Sequence, residues 1–175
     1  MDIERVTNAI KVGDFILRND DSPNHIDIRW LPEIGNDILR DESGRVYIMT
    51  SNGIIKKIGG SQSRGGLRAT ISFYVSSMQG RPSIRSYGIH LLIKGELERG
   101  NRVELYVIRA EKVYAPIVGL FDTEEGEVSP FKEMENKCKA DFLREEENYP
   151  EWNFQERGQA WPLEIQRSHE DQRRR

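Results

Sequence analysis

The stretch RVYIMTSNGIIKKIGG, residues 45–60, decides the fold. Two runs rich in β-branched residues flank Asn52-Gly53, the dipeptide that most readily supplies the two positive-φ positions of a tight hairpin turn. Two antiparallel strands are therefore expected, in one of two registers. A two-residue turn at Asn52-Gly53 pairs residue 47 with 58, points Lys57 away from Tyr47 and leaves Lys56 beside the tyrosine. A three-residue loop over 52–54 with a bulge pairs 49 with 57 and puts Tyr47 and Lys57 on one face, because a one-residue slip inverts every side chain.

Beyond the hairpin, LRATISFYVSSM (67–78) carries apolar residues at 67, 71, 74, 75 and 78, which predicts an amphipathic helix with Arg68 in its first turn. The segment 81–100 enters a second helix at Pro82 and leaves it at Gly100. RVELYVIRA (102–110) alternates as a strand does, and KVYAPIVGLF with the following EGEVS adds a strand or hairpin. Ser129-Pro130 reads as a cap and first turn, opening a helix that runs to residue 147. On the N-terminal side, Ile3, Val6, Ile10, Val12, Phe15 and Ile16 have loosely helical spacing, so residues 1–18 are expected to form a helix. Residues 19–44 are rich in Asp, Asn, Pro and Gly around one apolar island, IDIRWLPEI, expected to pack on the domain. The last eight residues, SHEDQRRR, read as a frayed tail.

The expected class is α+β: a small mixed or antiparallel sheet, the hairpin plus one or two further strands, flanked by helices. The expected organisation is an N-terminal helix and extension (1–43), a central domain (44–155) and a C-terminal tail (156–175).

A chain of 175 residues with 31% charged and 37% hydrophobic residues is of the soluble globular type. Its longest apolar runs are too short to cross a membrane, and the acidic start does not read as a secretion signal. One cysteine, Cys138, excludes an intrachain disulfide and suits a reducing, cytoplasmic setting. The net charge of −3 conceals an asymmetry. Residues 55–102 hold nine Lys or Arg against Glu96 and Glu98, a net of +7, whereas residues 121–151 hold eleven acids against four bases, a net of −7. That pattern suggests a basic binding face with carboxylates nearby, or two oppositely charged helices that solvate each other.

His25, His90 and His169 are scattered, so no structural zinc site is expected. No phosphate-binding loop, dinucleotide fingerprint or Gly-x-Ser-x-Gly elbow occurs, so no nucleotide cofactor is expected. What remains is Tyr47, Lys56 and Lys57 on the hairpin, Arg68 entering a helix, and a carboxylate on the terminal helix. Taken singly, each is an ordinary surface or strand residue. Together they suit phosphodiester hydrolysis, which needs positive charge at the developing anion and a base for the attacking water, and in which a divalent metal can take the other oxygens.

VYIMTSNGIIKKIGG and LRATISFY together resemble the paired motif of the GIY-YIG nucleases, most closely the small standalone type II restriction endonucleases of that superfamily. Lys57-Ile58-Gly59 stands where many members have their second tyrosine. The resemblance continues through IHLLIKGELERGNRVELYV to KEMENKCKADF and spans about residues 44–153. It implies a sequence-specific endonuclease that cuts double-stranded DNA with Mg2+ or Mn2+, working as a homodimer with no membrane attachment.

By the same resemblance Tyr47 is the general base or the orienter of the attacking water, with Lys57 favouring its phenolate. Arg68 binds the scissile phosphate, and Glu135 holds the metal. Asn153 supports the metal site, Lys56, Tyr74 and His90 are auxiliary candidates, and Arg64, Arg81, Arg85 and Lys94 contact DNA. Residues 1–43 and 60–66 are expected to help read bases. The chain departs from the pattern at Arg45, in place of the first glycine, and at Ser72 and Gly60, where relatives carry other side chains. Two other readings accompany this one: a structure-specific repair or mobile-element nuclease, and a catalytically inactive nucleic-acid-binding module.

Overall fold

The computed structural model describes residues 1–174. The hairpin forms as β3 (Arg45–Ser51) and β4 (Ile54–Ser61). Asn52 and Gly53 sit at φ +47° and +82°, and Ser51 pairs directly with Ile54, so the tight two-residue turn is the one adopted. Yet Met49 pairs with Lys57 and Tyr47 with Gly59, because β4 accommodates one extra residue between the Thr50–Ile55 and Met49–Lys57 pairs. That residue is Lys56. The register that joins Tyr47 and Lys57 on one face is therefore reached by a bulge inside the strand with the two-residue turn kept, and not by a three-residue loop over 52–54.

The N-terminal helix expected over 1–18 is not present. A single 3-10 turn (Ile3–Arg5) leads into a strand, β1 (Ile10–Leu17), which pairs with β2 (Ile26–Trp30) from the apolar island. A bulge between Lys11 and Gly13 explains the misleading spacing. It lets Val12 and Phe15, three residues apart, both face the core, where an unbroken strand would place only every second residue. Gly13 answers a close approach, since a Cβ there would lie 2.9 Å from the Arg29 carbonyl oxygen.

A short helix α1 (Asn36–Leu39) precedes the hairpin. After it come α2 (Gly66–Val75), α3 (Ile84–Glu98) and β5 (Val103–Arg109). Ser83 caps α3 by accepting a hydrogen bond from the Ser86 amide. The main sheet has the order β2-β1-β5-β3-β4 with every pairing antiparallel. The segment 111–128 makes a separate two-stranded ribbon, β6 (Val113–Val118) and β7 (Thr123–Val128). Helix α4 (Phe131–Glu146) follows. Ser129 does not cap it, because its hydroxyl accepts instead from the Gly44 amide at 3.1 Å.

Two apolar clusters cover the two faces of the sheet. Met49, Leu105 and Val107 pack with Ile71, Ile89 and Ile93 on one side, and Val46, Ile48 and Ile58 pack with Ile3 and Phe142 on the other. The C-terminal tail is also ordered, as α5 (Leu163–Arg174). It packs on α3, where the His169 ring meets Tyr87, and Gln172 donates to the Met78 carbonyl at 2.8 Å in the segment between α2 and α3, while Ile165 is buried. Of the predicted tail, only residue 175 lies outside the described residues. Among those residues no helix is long and apolar enough to cross a membrane.

Helix α2 starts at a tight backbone crossing. Gly66 has φ +70°, and a Cβ there would lie 2.5 Å from the Arg40 Cα. Both strain and contact oppose a side chain, so Gly66→Ala should cost about 2–4 kcal/mol, read as a lowered urea midpoint with an unchanged slope.

Candidate active site

Strand β4 is the edge of the sheet, and a loop closes over that edge. The Lys56 carbonyl, displaced by the bulge, accepts from the Trp152 amide at 2.8 Å. Two residues along, the Asn153 side chain takes both peptide groups of Ile58. The Ile58 N–H donates to Asn153 Oδ1 at 3.0 Å, and Asn153 Nδ2 donates to the Ile58 carbonyl at 2.9 Å. Asn153 is buried, and its amide holds both peptide groups of Ile58. It supports the site by fixing the strand beside it.

Between this loop, β4 and α4 lies a small cleft of about 50 Å³, lined by Tyr47, Lys57, Gly59, Gly60, Arg85, Glu135, Asn153, Glu156 and Trp161 among others. It brings Tyr47, Lys57, Glu135 and Asn153 together. Two glycines make room for two of these side chains. A Cβ on Gly59 would strike the Tyr47 phenol, and one on Gly60 would lie 2.7 Å from Glu135 Oε2. Gly60, a departure from the family pattern, is thus the space that the Glu135 carboxylate occupies.

Lys57 is buried, and among the described residues no carboxylate lies within ion-pairing distance of its ammonium. Burial, together with the nearby charge of Arg85, lowers it from 10.5 to about 8. Tyr47 shares a 2.6 Å hydrogen bond with the hydroxyl of Tyr74, and burial pushes its phenol well above the ordinary value. The expected help from Lys57 toward a Tyr47 phenolate does not figure in this shift: burial, Tyr74 and Glu135 raise the phenol, and the charge that works against them is that of Arg85.

Burial also works to raise the Glu135 carboxyl, but hydrogen bonds from Lys132 (2.8 Å) and Lys139 (2.6 Å) outweigh it and hold the group below the usual carboxylate value. Lys139 also donates to Glu156, so one buried ammonium links two carboxylates.

Other predicted residues lie elsewhere. Arg68 is exposed, with its guanidinium stacked 5.2 Å from the centre of the Trp30 ring, and does not line the cleft. Arg85, from the first turn of α3, lines it instead and donates to Gln155. Lys56 pairs with Glu151 at 2.5 Å outside the cleft. His90 is fully buried under α2, bonded at 2.9 Å to the Tyr74 carbonyl and lowered by burial to about 4. Arg64 and Arg81 are exposed in the loops before and after α2, while Lys94 pairs with Glu98 at 3.1 Å. Arg45 turns inward and donates to the carbonyls of Asp41 and Ser43. Sequence reasoning missed Lys139, Glu156 and Trp161 altogether.

No protein-family profile matches the chain, and no curated protein sequence does. Solved structures do. A mutant of bacteriophage T4 EndoII superposes with a TM-score of 0.56 at 18% identity, covering 87% of this chain and 99% of that one. The restriction endonuclease Hpy188I in complex with product DNA gives 0.50 at 20% identity, covering 86% and 84%. At such identities the shared property is the fold.

Two substitutions probe this geometry. Asn153→Ala strands both peptide groups of Ile58 and should cost about 2–4 kcal/mol in denaturant melts, with Asn153→Asp losing less because it keeps the acceptor. Lys57→Met removes an unpaired buried charge and should raise stability at pH 7 by roughly 1–3 kcal/mol. The folded value of Lys57, about 8, lies below the unfolded 10.5. Between those two pH values the unfolded chain holds the proton that the folded chain has released. Wild-type stability should gain from this group as pH rises through that window, and the gain should vanish in Lys57→Met.

Proposed function

We propose that this chain is a DNA endonuclease of the GIY-YIG type, hydrolysing phosphodiester bonds of double-stranded DNA with Mg2+ or Mn2+ as a sequence-specific restriction enzyme does. The observation that carries the reading is Lys57: a buried ammonium with no carboxylate partner among the described residues, facing a cleft that also holds Tyr47, Arg85 and Glu135. Such a group is costly to maintain in a fold and suited to meeting an anion. The two solved neighbours, a phage endonuclease and a restriction endonuclease bound to product DNA, support the same choice.

Among the described residues no three His, Cys, Asp or Glu side chains converge as a metal cage. Glu135 alone fits a hard divalent ion that keeps most of its waters and shares phosphate oxygens. Its Oε1 is held by Lys139, and its Oε2 by Lys132, whose side chain is 59% exposed. Glu135 would hold such an ion, which would supply neutralisation of phosphate charge and help for the leaving oxygen.

The chain's own residues supply the rest. Arg85 presents its fork to the scissile phosphate, the role the family resemblance gives to Arg68. Tyr47, kept neutral and held by Tyr74, orients the attacking water through its hydroxyl. Lys57, lowered to about 8, accepts the proton of that water. Arg81, exposed in the loop between α2 and α3, adds a phosphate contact. Cleavage of both strands at a two-fold site calls for two copies of the chain.

With Mg2+ and unmethylated phage DNA, Tyr47→Phe, Lys57→Met, Arg85→Ala and Glu135→Ala should each slow cleavage about 100-fold or more, and Arg68→Ala only a few-fold. The wild-type rate should rise with pH and level off above about 8, as Lys57 loses its proton. If Arg68→Ala abolishes cleavage and Arg85→Ala does not, the assignment of the phosphate fork is wrong. A wild type that shifts DNA in gels but cuts nothing with either metal makes the chain a binding module instead.

A further inference from the structure

The ribbon of β6 and β7 packs on no other element of the fold to any comparable extent. Its apolar residues face water: Tyr114 is 70% exposed, Val118 80%, Leu120 93% and Phe121 98%. An isolated two-stranded hairpin is marginal in water, and an apolar tip so placed marks an interaction surface.

Charge narrows the partner. Residues 111–128 carry Glu111, Asp122, Glu124, Glu125 and Glu127 against Lys112 alone, five acids less one base or a net of −4. Lys112 is itself tied to Glu127 at 2.7 Å. A ribbon of that charge is repelled by a phosphate backbone, so nucleic acid does not suit it.

The complementary surface lies on this same chain. At the N-terminal end of α2, Arg40, Arg64 and Arg68 are all exposed, and among the described residues none of them is ion-paired. Arg40 is brought there by the close crossing at Gly66, and Arg68 is held over Trp30. Phe73, 67% exposed, continues the outer ridge of that helix. Basic side chains beside an exposed aromatic match acids beside an apolar tip. Arg68, which the cleft does not use, thereby has a role.

We propose that the ribbon is an arm that docks on the α2 surface of a second copy of this chain, Phe121 and Leu120 against Phe73, and Asp122, Glu124 and Glu125 against Arg40, Arg64 and Arg68. Reciprocal exchange of two arms about a two-fold axis closes the assembly at two copies. The proposal does not depend on the nuclease reading, because mass can be measured without DNA.

Sedimentation velocity of the full chain across a concentration series, at low and high salt, tests it. A reversible dimer that weakens with salt is expected. Phe121→Asp should weaken it roughly thirtyfold or more. Glu124→Arg with Glu125→Arg should weaken it, as should Arg64→Glu with Arg68→Glu, and mixing the two charge-reversed proteins should restore association. Thermal melts at concentrations where the wild type is monomeric should be unchanged in the arm variants, since among the described residues the ribbon makes no extensive contact with another element. A wild type that is monomeric throughout, or a dimer indifferent to Phe121→Asp, overturns the proposal. So do arm variants that leave the mass unaltered while weakening DNA binding in gels.

Discussion

One surplus residue in an edge strand governs the cleft. Lys56 sits between two hydrogen-bonded pairs of the hairpin, and its insertion turns Lys57 to the face that carries Tyr47. The same insertion leaves the Lys56 carbonyl for Trp152, so the loop that closes the cleft is anchored where the strand is irregular. Asn153 then locks Ile58, and the loop delivers Glu156 to Lys139 and through it to Glu135. Without the extra residue the tight Asn52-Gly53 turn would send Lys57 to the opposite face. An edge strand is the natural place for such a device, since only one side of it must keep a regular ladder.

The electrostatics of the cleft follow from how little water reaches it. Burial favours neutral forms, so the Tyr47 phenol keeps its proton and the Lys57 ammonium holds its own weakly. The acids resist the same pressure because ammonium groups contact them, as Lys132 and Lys139 do Glu135. The result is a pair of groups on adjacent strands, one unable to ionise near neutrality and one poised to change charge there. That separation suits a proton transfer.

The sequence made legible whatever rests on local pattern. The Asn52-Gly53 turn, the helices α2, α3 and α4 and the strand β5 follow directly from spacing and turn chemistry. The grouping of Tyr47, Lys57 and Glu135 was legible through the motif order. β1 was not, because its bulge brings Val12 and Phe15 to one face and so imitates helical spacing. α5 was not, because a strongly charged segment is held by a few anchors, Ile165 and His169, that composition hides. Arg68 and Arg85 each stand in the first turn of a helix, and only the packing of those helices decides which one reaches the cleft. Glu156 and Lys139 meet through a coil with no periodicity, and no sequence signal marks that contact.

Both ends of the β6–β7 ribbon are fastened at one residue. The Gly44 carbonyl accepts from the Ala110 amide at 2.9 Å, and the Gly44 amide donates to the Ser129 hydroxyl at 3.1 Å. The eighteen residues between them therefore leave and re-enter the body through a single doorway, with the sheet and α4 closed behind it. A segment attached in that way behaves as a graft: its length and chemistry are free to drift without disturbing the cleft, and a lineage can exchange partners by rewriting the arm alone.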